Sequence, residues 1–145
     1  MIRFFKSNKP TTTDIGRYGE DVAAKHLKEK GFRILARNRH EGRNEIDIIA
    51  ECESAVVFVE VKTRTTASIS EKEPRPASAV TPKKQRSIIS AAKGYLATHR
   101  PDKHVRFDII EVYVDKDERG RRTLKLKHLE NAFNKNTAYK PKFAR

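Results

Sequence analysis

The sequence predicts an α/β protein: a mixed β-sheet with helices packed on it, in the order α-β-β-β-α-β-β. Three observations carry that expectation. A capped amphipathic segment comes first; three strand-like apolar runs follow at short spacing; a second capped helix then returns to a fourth strand. A meander followed by a helical return implies antiparallel and parallel neighbours in one sheet.

Residues 1–13 read as a flexible basic arm. Ile15 to Lys30 reads as the first helix: Thr13 or Asp14 can cap it, Gly31 can supply a left-handed stop, and Phe32 can pack back on Leu27 in a Schellman ending. Phe32 to Arg37 is a short strand, and RNRHEGRN, Arg37 to Asn44, a turn-rich link. Glu45 to Glu51 is the second strand. Cys52 to Ser54 connects it tightly to the third, Ala55 to Arg64. The run from 65 to 80 is polar, carries prolines and shows no period, as a flexible loop would. Thr81 caps the second helix with Pro82 in its first position, and Ile88, Ile89, Ala92, Tyr95 and Leu96 share one face up to about His99. His104 to Asp115 is the fourth strand, DKDERGRR a turn, Thr123 to His128 a half-exposed last strand, and LENAF an added helical turn. A single domain is expected over 14–133, with a basic tail over 134–145.

Hydrophobic residues make up 37% and charged residues 35% of the 145. The apolar ones cluster into periodic runs, so a real core is expected. No apolar run approaches the length of a membrane span. MIRFFKSNKPTTTD lacks an apolar core with a small-residue cleavage site, which argues against secretion. Cys52 is the single cysteine, which excludes an internal disulfide and a cysteine-built zinc site; a cytoplasmic location is expected. Net charge is +13, and Arg3, Lys6, Lys9, Lys135, Lys140, Lys142 and Arg145 sit in acid-free ends. Such a surplus suits a nucleic-acid partner, because phosphates reward Lys and Arg through counterion release. A merely soluble basic protein is the plainer alternative.

Charges set into apolar surface narrow the reading. In VVFVEVKTR, alternation puts Val57, Val59 and Val61 on one strand face and Val56, Phe58, Glu60 and Lys62 on the other. Burying Glu60 and Lys62 is costly unless they are paired or hold an ion; a strand emerging into solvent is the alternative. In EIDIIAE, Ile46, Ile48 and Ala50 share one face, and Glu45, Asp47 and Ile49 the other. The tight Cys52–Ser54 connection makes these strands antiparallel neighbours, so Asp47 and Glu60 meet on one face. Two carboxylates together repel unless a cation or proton intervenes, and oxygen ligands suit Mg²⁺ or Mn²⁺. On the first helix Glu20 falls inside the apolar arc, between Leu27 and Ala24, with Gly16, Ala23 and Ala24 small enough for close approach to a sheet; a Glu20 at the arc's edge that reaches out to solvent is the alternative. A metal on Asp47, Glu60 and the Val61 carbonyl would polarise a phosphate and acidify a water. Lys62 would orient that water or neutralise developing charge, and Glu20 would hold a second ion or a water. Lys83, Lys84, Gln85 and Arg86, at the start of the second helix, are candidates to meet phosphates; a wet helix end is the alternative.

Asp47, then Glu60-Val61-Lys62 on a neighbouring strand, after a helix bearing Glu20, resembles the PD-(D/E)xK nuclease superfamily, and the element order is similar to its restriction-endonuclease-like core. GRYGEDVAAKHLKEKGFRILARN, NEIDIIA, VVFVEVKTR, the helix from Lys83, and RFDIIEV resemble, in that order across 14–133, the YraN-like family of small bacterial proteins. That family is related to archaeal Holliday-junction resolvases. The resemblance implies a Mg²⁺-dependent endonuclease acting on branched or structured DNA, with Glu20, Asp47, Glu60 and Lys62 as its site and, by analogy, a homodimer. Asn44 stands where the family has a glycine, and Ile46 where the superfamily motif has proline; neither removes a ligand. A nucleic-acid-binding module of the same fold, with little catalysis, is the alternative.

Overall fold

A computed structural model describes residues 12–65, 80–116 and 122–139. The arm up to residue 11, residues 66–79 of the expected loop, most of the DKDERGRR turn and the tail from 140 lie outside the described residues.

The order of elements is the expected one with a short helix added. Helix α1 (Thr12–Glu29) is followed by strands β1 (Arg33–Glu41), β2 (Asn44–Glu51) and β3 (Ala55–Thr65), then helix α2 (Pro82–Thr98), strands β4 (His104–Lys116) and β5 (Arg122–Phe133), and helix α3 (Lys135–Ala138). The strands form one mixed sheet in the order β1-β2-β3-β4-β5, parallel between β3 and β4 and antiparallel elsewhere. Helix α2 is the crossover that the parallel pair requires.

Local chemistry sets the helix ends. Gly31 closes α1 at φ 94°, with Gly31 N–H donating to the Lys28 carbonyl and Phe32 N–H to the Leu27 carbonyl, the Schellman pair. Thr81 caps α2, its hydroxyl accepting from Lys84 N–H at 3.1 Å, and Pro82 follows it at the helix start.

Several local expectations are corrected. Helix α1 starts at Thr12, ahead of Ile15. RNRHEGRN is mostly strand: β1 runs to Glu41 and closes on β2 through Gly42 and Arg43, with Gly42 at φ 61° in the left-handed region such a turn needs. A register shift between Ile34 and Ala36, and Asn38 at φ 51°, break the pattern that would have marked it as strand. LENAF is likewise strand. Its extra residues bulge opposite Asp108, where Asn131 (φ 50°) donates its N–H to the Asp108 carboxylate at 2.9 Å. The expected tail opens with α3, whose Asn134 and Thr137 form a reciprocal cap and whose Ala138 is buried.

The helices lie on opposite faces of the sheet. Tyr18, Val22, Ala23, Ala24 and Leu27 of α1 pack with Ile48, Ala50, Val57, Val59, Ile110 and Val112. Ile88, Ile89, Ala92 and Tyr95 of α2 pack with Ile49, Val56, Phe58, Ile109 and Phe133. Val80, at the end of the expected loop, is buried in this second cluster, and Cys52 packs at the edge of the first. One residue departs from strict alternation: Ile46 packs with Ile49 on the α2 side, apart from Ile48. Paired residues of β2 and β3 run from Ile48 opposite Val59 to Glu51 opposite Val56, so beyond Ile48 the two strands part.

Candidate active site

The parting of β2 and β3 makes a fork, and Asp47 stands in it. With no β2 residue paired opposite, Val61 N–H is satisfied by the Asp47 side chain, Oδ2 accepting at 2.8 Å. N–H and C=O of one strand residue point to the same edge, so the Val61 carbonyl faces the fork too. Glu60, the preceding residue on β3, is buried, and its carboxyl lies close enough to Asp47 for each to act on the other's ionisation. Burial first, then the Asp47 charge, lifts Glu60 from 4.5 to about 7, against the opposing pull of Lys84 and Lys62. Burial also raises Asp47, although Val61 N–H and Lys84 pull it down. Lys62 Nζ lies 3.7 Å and Lys84 Nζ 3.9 Å from Glu60 Oε1.

Glu20 reaches the fork from the other side of the sheet. Burial raises its carboxyl, and the nearby Asp47 charge adds to the effect. Close approach of α1 depends on Gly19: a Cβ there would lie 2.8 Å from Thr63 Cβ and strike the Thr63 hydroxyl. The glycine expected to serve that purpose, Gly16, has open space around it.

The carboxylates have partners that sequence reasoning missed. Asn38, with its amide turned as its neighbours require, donates to Glu20 Oε2 and to Glu45 Oε1, each at 3.2 Å. Arg37 lies 3.9 Å from Glu20 and 2.8 Å from Asp21. Asn38 is of a type that tolerates its φ of 51°, but the sequence holds no signal for its partners, because the bulge that turns it toward Glu20 arises from the β1–β2 register. Of the four residues at the start of α2, Lys84 alone meets the acids, and Lys83 is exposed. Gln85 is spent structurally, donating to the Val80 carbonyl at 2.9 Å and accepting from Thr137 at 3.2 Å. Arg86 donates to the Ala138 carbonyl at 2.9 Å and lies 5.9 Å over the Tyr139 ring. Both tie α2 to α3, a helix the sequence reading did not foresee.

The donor set at the fork is oxygen only, which suits a hard cation. Among the described residues no three His, Cys, Asp or Glu side chains gather closely enough to hold an ion by themselves. Two carboxylates do meet. That fits Mg²⁺, which is bound through one or two carboxylates plus water and phosphate and not by an all-protein cage.

A model of the uncharacterised protein family UPF0102 matches residues 19–112, from the glycine under α1 to the middle of β4. The chain belongs to the UPF0102 family. This is the YraN-like family that the sequence blocks resemble. A UPF0102 protein of Chlorobium phaeobacteroides strain BS1 is 48% identical over 83% of this chain and 94% of its own. One from Chlorobaculum tepidum is 46% identical over 82% and 91%, and one from Porphyromonas gingivalis 41% over 83% and 84%. The solved structure of Pyrococcus furiosus SfsA in complex with Ca²⁺ is similar over 83% of this chain and 64% of that one, at 17% identity and a TM-score of 0.39. Every residue of the UPF0102 fork lies inside the matched segment. No described helix of this UPF0102 chain is long and apolar enough to cross a membrane.

Proposed function

We propose that the chain is a Mg²⁺- or Mn²⁺-dependent endonuclease that hydrolyses phosphodiester bonds in DNA, branched or otherwise structured DNA in the manner of a Holliday-junction resolvase. One observation carries the reading: the buried Glu60 carboxyl sits beside half-buried Asp47, which is anchored on Val61 N–H at 2.8 Å, with Lys62 Nζ 3.7 Å from Glu60 and Glu60 pushed up to about 7 by burial and the Asp47 charge. Such a pair needs positive charge to ionise fully, and a divalent cation supplies it in place of a proton.

Asp47, Glu60 and the Val61 carbonyl would hold the cation. When bound, it supplies Lewis-acid polarisation of a phosphate and a more acidic water. Lys62 would neutralise charge that grows on the phosphate. Glu20, kept in place by Asn38, would hold a water or a second ion. Lys83 and Lys84 would grip the phosphate backbone, and the +13 charge would favour nucleic acid in general. A junction presents two symmetric scissile strands, so the active species would be a homodimer.

A nucleic-acid-binding module of the same fold is the second reading. It is favoured by the net charge of +13, which rewards phosphate contacts whether or not a cation is held. The test incubates the protein with junction, flap, single-stranded and duplex DNA in Mg²⁺, Mn²⁺ or EDTA. Divalent-dependent cleavage lost in Asp47→Asn is the expected result. Salt-sensitive binding with no cleavage in either metal would establish the binding module, and neither binding nor cleavage would end both readings.

A further inference from the structure

We infer that the sheet face beyond Glu60 is a second contact for the phosphodiester backbone of nucleic acid, centred on Arg64 and backed by Glu111 and Tyr113. It rests on the reading above for its partner.

The register assembles this face. Lys62 stands opposite Glu111 and Glu111 opposite Lys127; Arg64 stands opposite Tyr113 and Tyr113 opposite Lys125. Residues paired in register share a face. Phe58 packs beneath α2, and Glu60, Lys62 and Arg64 follow it at alternate positions, so the row lies on the side of Glu60 and Lys84. Leu126, between the two lysines of β5, packs on the opposite side. Lys62, Arg64, Lys125 and Lys127 thus form one cationic surface continuous with the fork, with Glu111 beneath it and Asp115 at its rim. It spans ~7 Å along β3 and ~10 Å across to β5.

The centre of this surface is incompletely bonded. Glu111 is 1% exposed; Tyr113 donates to its Oε2 at 2.6 Å, while its Oε1 is buried without a hydrogen-bond partner. Arg64 Nε lies 3.9 Å from Glu111 Oε2, too far for a hydrogen bond, and is itself buried without one. A pair kept only for the fold would be expected to close, because buried polar groups left unpaired are costly. Arg64 instead leans on the carboxylate and, at 24% side-chain exposure, still reaches the surface. A planar guanidinium backed by a carboxylate and partly exposed is suited to a phosphate.

The experiment measures binding of duplex and junction DNA against NaCl concentration in EDTA, where cleavage plays no part. Arg64→Gln is expected to weaken binding to both DNAs and to flatten the log–log salt slope by about 0.9, the value of one phosphate contact on duplex. Lys125→Gln with Lys127→Gln, which changes exposed residues only, is expected to flatten it further. Lys28→Gln, on the outer surface of α1, should leave it unchanged. A lower melting temperature for Arg64→Gln with an unchanged slope would make the Arg64–Glu111 pair structural and overturn the proposal, as would an unchanged slope in the double lysine variant. Cleavage in Mg²⁺ with unchanged slopes sinks this face and leaves the nuclease reading standing. Flattened slopes without cleavage do the reverse.

Discussion

Gly19 of α1 sits directly against Thr63 of β3, with no room for a methyl group between them. That contact sets how deep the helix rides on the sheet, and hence where the next residue, Glu20, can reach. Gly19→Ala is therefore expected to cost about 1–3 kcal/mol by overpacking, read from denaturant midpoints. It should also reduce cleavage more than Ala23→Gly does. The latter loses about 1 kcal/mol of helix propensity on the same helix but leaves the Gly19 contact intact.

Asp47→Asn separates charge from architecture at the fork. The amide oxygen can still accept from Val61 N–H, so the melting temperature should change little, while cleavage falls at least ~100-fold because a ligand charge is lost. Asp47→Leu removes the acceptor as well and should also destabilise, by roughly 1–3 kcal/mol for the buried N–H left unpaired. Parallel thermal melts and cleavage assays distinguish the two variants.

Glu60 makes stability depend on pH with a definite sign. Its folded value, about 7, exceeds its unfolded value of 4.5, so between those limits the folded state binds more protons. Stability without divalent cation should accordingly fall as pH rises from about 4.5 to 7, and Glu60→Gln should flatten that part of the profile. The bound is on the order of 3 kcal/mol. Added Mg²⁺ should restore stability at pH 7.5 in the wild type and much less in the variant. Melting curves across this range, with and without Mg²⁺, provide the check.

Asp108 anchors the opposite half of the sheet, and its dependence on acid runs the other way. Arg106 donates to it twice at 2.9 Å, Asn131 N–H at 2.9 Å and His128 Nε2 at 2.7 Å. Burial alone would raise this carboxyl, but the His128, Arg106 and Asn131 donors together hold it below the ordinary carboxylate value. Its contribution is present above the unfolded value of 3.8 and lost as pH falls further. Asp108→Asn should cost ~3–5 kcal/mol, as expected when one partner of a buried charge cluster is removed. Urea titration at neutral pH measures it.

How legible this was in the sequence can be seen residue by residue. The α1 ending was written in Gly31 and Phe32, and the start of α2 in Thr81 and Pro82, because caps are local chemistry. The short Cys52–Ser54 connection made β2 and β3 neighbours, as expected, but alternation breaks at Ile46 and the pairing ends at Ile48, so the approach of Asp47 to Glu60 comes from the fork and not from the period of two. Asn38, LENAF and α3 were not legible. Each depends on a distant partner: Asn38 on Glu20 and Glu45, the β5 bulge on Asp108, and α3 on Gln85 and Arg86 of α2.

By itself, then, the sequence determined two helices, five strands and their order, the Gly31 and Thr81 helix ends, and the adjacency of the strands that carry Asp47 and Glu60, all consequences of residue type and short-range spacing. The tertiary structure alone decided where β2 and β3 part, how close α1 lies, and which cations reach Glu60. Those depend on packing between residues far apart in the chain, where a missing Cβ at Gly19 or an unpaired N–H at Val61 has meaning only once its neighbour is in place.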